Sequence, residues 1–110
     1  VLMTNDLDRT CDAVTEVSGY PLKRVREVGE IRQGFHRIGE DGVILEVVER
    51  VDVSETSLWG LVLSTESFDD IVTRAGDLVT APKAAVQPGR RISTVKNSAG
   101  LGVAVALMSA

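Results

Sequence analysis

Val1-Leu2-Met3-Thr4-Asn5-Asp6-Leu7-Asp8 returns about sixty residues later as Val62-Leu63-Ser64-Thr65-Glu66-Ser67-Phe68-Asp69. A second pair of stretches matches at nearly the same spacing: Gly42-Val43-Ile44-Leu45-Glu46-Val47-Val48 and Gly102-Val103-Ala104-Val105-Ala106-Leu107-Met108. An apolar run, a capping residue and a helix start that occur twice mark one supersecondary unit fused in tandem. Corresponding residues then occupy related positions, so a group present in one copy and absent from the other shows where chemistry was kept or lost.

Working outward, Val1 to Thr4 reads as a short buried strand, and Asn5-Asp6 caps a helix with Leu7, Cys11, Val14 and Val17 on its apolar stripe. Ser18-Gly19 closes that helix and Pro21 discourages its continuation. Leu22 to Val28, Gln33 to Ile38 and Val43 to Glu49 follow as extended stretches, with Asp41-Gly42 as a turn, which predicts a meander. In the second copy, Leu61 to Ser64 is a strand, and Ser67 caps a helix bearing Phe68, Ile71, Val72 and Ala75 that ends at Gly76. Arg91 to Lys96 and Leu101 to Met108 form a hairpin around Asn97-Ser98-Ala99-Gly100, and Ala81 to Gly89, with Pro82 and Pro88, is an irregular crossing or edge strand.

The order is βαβββ repeated. A ferredoxin-like βαββαβ chain would need a helix between its third and fourth strands, where Gln33 to Arg50 carries hairpin signals instead. The expected architecture is therefore α+β: tandem βαβββ modules forming a curved mixed sheet with a helix on one side and a concave trough on the other. A single domain over residues 1–110 is expected, with module one at about 1–51, a polar linker at about 52–57 and module two at about 58–110. Small-molecule sites favour such concavities.

Composition narrows the function. The 110 residues include 16 acidic and 12 basic side chains and few aromatics, so the chain lacks the positive field and stacking rings of a nucleic-acid binder. No apolar run is long enough to cross a bilayer and no leader pattern opens the sequence, so a soluble, cytoplasmic protein is expected. Because the chain opens inside an apolar run, the first strand is expected to begin upstream of Val1. Cys11, the only cysteine, is expected to serve as a small core hydrophobe.

The tandem plan, the Asp6-Leu7-Asp8 helix start, Gln33-Gly34-Phe35, the Gly42 to Val48 strand, Trp59-Gly60-Leu61 and the closing Ala99 to Met108 run resemble the vicinal oxygen chelate superfamily. That superfamily includes glyoxalase I, bleomycin-resistance proteins, extradiol dioxygenases and methylmalonyl-CoA epimerase. Val86-Gln87-Pro88-Gly89-Arg90-Arg91 is more similar to its glyoxalase-like domain proteins than to glyoxalase I. The resemblance implies a glyoxalase-like fold, a homodimer, and a divalent metal held by His, Gln or Glu from the first and last strands of each module. Carried onto this chain, those positions fall at Glu46, Ala106, Gly60 and a place upstream of Val1. Glu46 is the only matching donor, so a divalent cofactor is disfavoured; a register slip would bring in Glu49 or His36, but on the opposite strand face.

Glu46 interrupts an apolar strand, and is either the polar member of a half-buried strand or an acid in an apolar trough, where burial would make it a general base. Arg90 and Arg91 follow the Gln87-Pro88-Gly89 turn, and alternation sends one of them inward, suited to a carboxylate, phosphate or enolate oxygen. Gln33, Phe35 and Trp59 are candidate ligand-binding residues, although the two aromatics equally suit core packing. Lys23, Arg24 and Arg26, offset by Glu27 and Glu30, read as a solvated face. Two functions compete. One is a small-molecule-binding protein of the bleomycin-resistance kind without a complete metal site; the other is a lyase, isomerase or dioxygenase-like enzyme with Glu46 as base or metal ligand.

Overall fold

Asp6 starts the first helix as its sequence context requires: its backbone is extended and its carboxylate accepts the Arg9 N–H at 3.1 Å. The helix ends at Gly19, whose φ of 77° is the left-handed turn that glycine adopts without strain. In the computed structural model, which describes residues 1–110, the chain divides into two compact units, Val1–Trp59 and Gly60–Ala110.

The first unit runs β1 (Leu2–Thr4), α1 (Leu7–Ser18), β2 (Leu22–Val28), β3 (Ile31–Ile38), β4 (Val43–Glu49) and β5 (Ser57–Leu58). Its sheet has the order β2-β3-β4-β1-β5, with β1 parallel to β4 and every other pairing antiparallel. The second unit runs β6 (Gly60–Thr65), α2 (Phe68–Ala75), β7 (Lys83–Ala84), β8 (Arg91–Thr94) and β9 (Ala104–Ser109). Its order is β6-β9-β8-β7, with β6 parallel to β9. Each unit is thus a mixed sheet with its own helix, and the βαβββ plan is present twice. The pairing repeats as well: Leu2 lies opposite Val47 in one unit, and Leu63 opposite Leu107 in the other.

In the first unit the core forms where α1 meets the sheet. Leu7, Cys11 and Val47 are buried together, with Leu2 and Leu22 packed against them. Gly34 lets the helix come this close, since a Cβ there would stand 2.9 Å from the Cys11 sulfur. Burial and the neighbouring Asp8 and Asp12 carboxylates push the Cys11 thiol up, which keeps it protonated. Polar groups in the core are bonded among themselves: the buried Thr4 hydroxyl pairs with those of Thr10 (2.7 Å) and Thr56 (2.8 Å).

Several local expectations are corrected. Val17 is 89% exposed, at the rim of a hollow that it lines with Val14, Ile38 and Leu45. The linker is not wholly irregular: Ser57 belongs to β5, which pairs antiparallel with β1. Trp59 closes the first unit, its N–H donating to the Val1 carbonyl at 2.8 Å, where the sequence placed it at the opening of the second copy. Ser67 precedes α2 but makes no side-chain cap; Thr65 accepts its N–H instead. The last two strands are joined by residues 95–103, including a short 3-10 turn at Asn97–Ala99, a longer connection than the tight hairpin expected.

Candidate functional site

Strand alternation assigns every side chain of the first sheet to the face under α1 or to the far face. Under the helix lie Leu2, Leu45, Val47, His36 and Glu49; the far face carries Arg24, Arg26, Gln33, Phe35, Arg37, Ile44, Glu46 and Val48. Arg24, Phe35 and Glu46 are direct cross-strand partners in one row. The ladders continue that row to Val1 and, through the Trp59 N–H bond, to Trp59. The next row contains Arg26, Gln33, Val48 and Met3.

The two rows are tied together by Gln33, whose Nε2 donates to Glu46 Oε1 at 3.0 Å. Glu46 is half-buried, and the loss of solvent raises its carboxyl above the ordinary glutamate range, against the pull of Arg26. The Arg24 guanidinium lies 5.9 Å from the centre of the Phe35 ring. The structure therefore brings Gln33, Phe35 and Glu46 together and carries Trp59 toward them along the row.

The raised carboxyl has a consequence for stability. The folded chain holds the Glu46 proton to higher pH than the unfolded chain, so this group costs stability as pH rises from the ordinary glutamate pKa through the raised one. Glu46→Gln keeps an oxygen for Gln33 and removes the titration. The variant should gain on the native protein between acidic and neutral pH, and the gap should close below about pH 4. Urea unfolding at both pH values checks this, and a difference independent of pH would contradict it.

His36 and Glu49 take no part on this face. His36 is fully buried beneath α1, with Nδ1 3.2 Å from the Tyr20 carbonyl and Nε2 without a hydrogen-bond partner. Glu49 accepts the Leu7 N–H at 2.7 Å, placing a carboxylate at the start of α1 where the helix dipole favours it. Their structural roles explain why a one-residue change of register is not used to reach Glu46's face.

In the second unit the two arginines separate. Arg91 is on the helix side, bonded to Asp69 at 2.8 Å and lying 5.0 Å from the Phe68 ring centre. Its hydrogen bond holds the Asp69 carboxyl below the usual carboxylate range. Arg90 is on the far face, its Nη1 3.7 Å from the Met108 sulfur. Arg91 is thus committed to α2, and of the pair only Arg90 has the inward orientation that alternation required.

The residues present do not fit the metal site that the fold family implies. No group of three or more His, Cys, Asp or Glu side chains is gathered closely enough to hold a metal ion. In the second unit the matched positions are Ala106 and Gly60, and a Cβ built at Gly60 would collide with the Ala104 carbonyl oxygen. Two hollows, of about 490 Å³ beside α1 and about 440 Å³ beneath the loop before β9, contain neither Glu46 nor Gln33.

Two βαβββ units, each with a mixed sheet, a helix on one face and a parallel first-to-last strand pair, constitute the vicinal oxygen chelate, or glyoxalase-like, fold. No family model and no curated protein sequence matches the chain. Solved structures do. Methylmalonyl-CoA epimerase from Mycobacterium tuberculosis superposes with a TM-score of 0.77 at 13% identity, over 98% of this chain and 83% of that one. A variant of Streptomyces coelicolor methylmalonyl-CoA epimerase in complex with 2-nitronate-propionyl-CoA gives 0.72 at 18%, over 99% and 92%. A hypothetical protein from Bacillus halodurans C-125 gives 0.75 at 11%, over 99% and 89%. At such identities the likeness is one of fold, and function has to be argued from the site.

Sequence reasoning read Arg24 and Arg26 as part of a solvated face and did not single out Arg37. Their signal was the strict alternation of Arg24 with Arg26 and of Gln33 with Phe35 and Arg37, which places all five on one face.

Proposed function

We propose that the chain is a small-molecule-binding protein that holds its ligand on the far face of the first sheet without a resident metal. The observation carrying this reading is the Gln33–Glu46 hydrogen bond beside Phe35: a polar pair, partly withdrawn from water, next to an aromatic surface. Phe35 and Trp59 offer flat apolar contact, while Gln33 and Glu46 fix orientation, the usual division of labour in ligand sites. Arg90, in the second unit, is a separate ligand-binding candidate, supported by its place beside Met108. Pairing into a homodimer belongs to it too, supported by the uncharged strand β6, whose Leu61, Val62 and Leu63 are exposed. A cytoplasmic setting, supported by the single buried free thiol, completes it.

The test is calorimetric titration of chelator-treated protein with a panel that includes methylmalonyl-CoA, other acyl thioesters, diacids and antibiotics. Saturable binding should occur without added metal, and Phe35→Ala should weaken it by about tenfold or more. Binding that emerged only after manganese, iron(II), nickel or zinc was supplied would overturn the metal-free reading. A second reading, proton transfer by Glu46, is favoured by its raised carboxyl; there Glu46→Gln would abolish turnover of a bound compound and leave its affinity unchanged.

A further inference from the structure

The chain as a whole is acidic, with a net charge of −4, yet the far face of its first sheet is basic. Arg24, Arg26 and Arg37 lie there against the single carboxylate of Glu46. On the opposite face of the same sheet, Arg32 is neutralised by three carboxylates, those of Asp8 (3.3 Å), Glu49 (3.6 Å) and Glu27 (3.9 Å). None of the three far-face arginines makes an ion pair, in a chain with 16 acidic residues to draw on.

The guanidinium groups are also partly positioned. Arg24 rests over Phe35, which leaves its N–H edge available, and the Arg37 guanidinium lies over the turn at Gly42, where a Cβ would stand 3.0 Å from it. Arg26 is half-buried and its charge is felt by Glu46. Guanidinium forks recognise carboxylate and phosphate oxygens through paired hydrogen bonds. A planar or apolar body attached to such an anion would cover Phe35.

We propose that this face takes an organic anion, a carboxylate or phosphate head held by Arg24 and Arg26 with its apolar body on Phe35. The inference rests on the reading of this face as the ligand site and adds the charge of what it binds. Arg37, on the same strand as Phe35, adds to the attracting field.

Binding is read by calorimetry, because Trp59, the only tryptophan, lies three strands beyond Phe35 along the row. The probes are phenyl phosphate, benzoate and the neutral benzyl alcohol, titrated at low and high salt. At least one anion should bind saturably and at least about tenfold more tightly than benzyl alcohol, with an affinity that falls as salt rises. Phenyl phosphate and benzoate separate the phosphate and carboxylate possibilities. Arg24→Gln and Arg26→Gln should each weaken the preferred anion by about tenfold, while Arg9→Gln, the same charge change on exposed α1, should leave it unaltered. Equal binding of benzyl alcohol and the anions, or equal loss in the Arg9 variant, would overturn the anion inference and leave the ligand face standing. No saturable binding of any of the three would overturn both.

Discussion

Gly60→Ala should destabilise the second unit by about 1–3 kcal/mol or more, although it adds only a methyl group. The reason is geometric. Gly60 faces Ala104 across the parallel β6–β9 ladder, and an added Cβ would meet the Ala104 carbonyl oxygen and stand 2.9 Å from the Ala104 Cβ. The obstacle is largely backbone, so no side chain can swing away; the ladder itself must open at the end where β6 begins. The melting temperature should fall on the order of 10 °C, and amides of β6 and β9 should exchange faster than those of β2 and β3. Gly60→His, which would return a metal donor to the matched position, should be worse. An unchanged melting temperature for Gly60→Ala would mean that β6 and β9 are not packed as described.

Leu7→Ala is the second large effect, at about 2–5 kcal/mol. Leu7 is fully buried at the first position of α1, against Cys11 and Val47, and its N–H is taken by Glu49. Truncation leaves a cavity that Gly34, with no side chain, cannot fill. Because Leu7 and Glu46 lie on opposite faces of the sheet, the loss should show in the denaturation midpoint while the folded fraction keeps its affinity for far-face ligands. A fall in affinity that matched the fall in stability would place the binding face elsewhere.

The fold was readable from the chain because its determinants are local and doubled. Asp6, Gly19 and the β-branched content of Val43 to Glu49 each act over a few residues, and the second copy restates the plan. Glu46 was readable for a similar reason: a carboxylate inside an apolar strand is conspicuous. What escaped was settled by residues distant in sequence. Arg91 is claimed by Asp69 and Phe68, 22 and 23 positions earlier, so alternation could say that Arg90 and Arg91 diverge but not which one stays with the helix. The cluster at Lys23, Arg24 and Arg26 read as balanced by Glu27, yet Glu27 turns to the helix face and joins Arg32, leaving the arginines without it. Val17 kept the helical spacing of a core residue, but a hollow separates it from Ile38 and Leu45 of the sheet.

The pairing of Leu2 with Val47 and of Leu63 with Leu107 makes the duplicated ladders a coordinate system for engineering. A side chain moved from a strand of one unit to its counterpart arrives with its direction already specified, since the pleat that aims it is the same. Ala106, opposite Val62 as Glu46 continues opposite Val1, is the address for a transplanted acid, and Ile92, opposite Met108 as Gln33 is opposite Val48, is the address for its hydrogen-bonding companion. Duplication thus gives the molecule a second surface with the same pleat, on which a polar pair can be written without redesigning the scaffold.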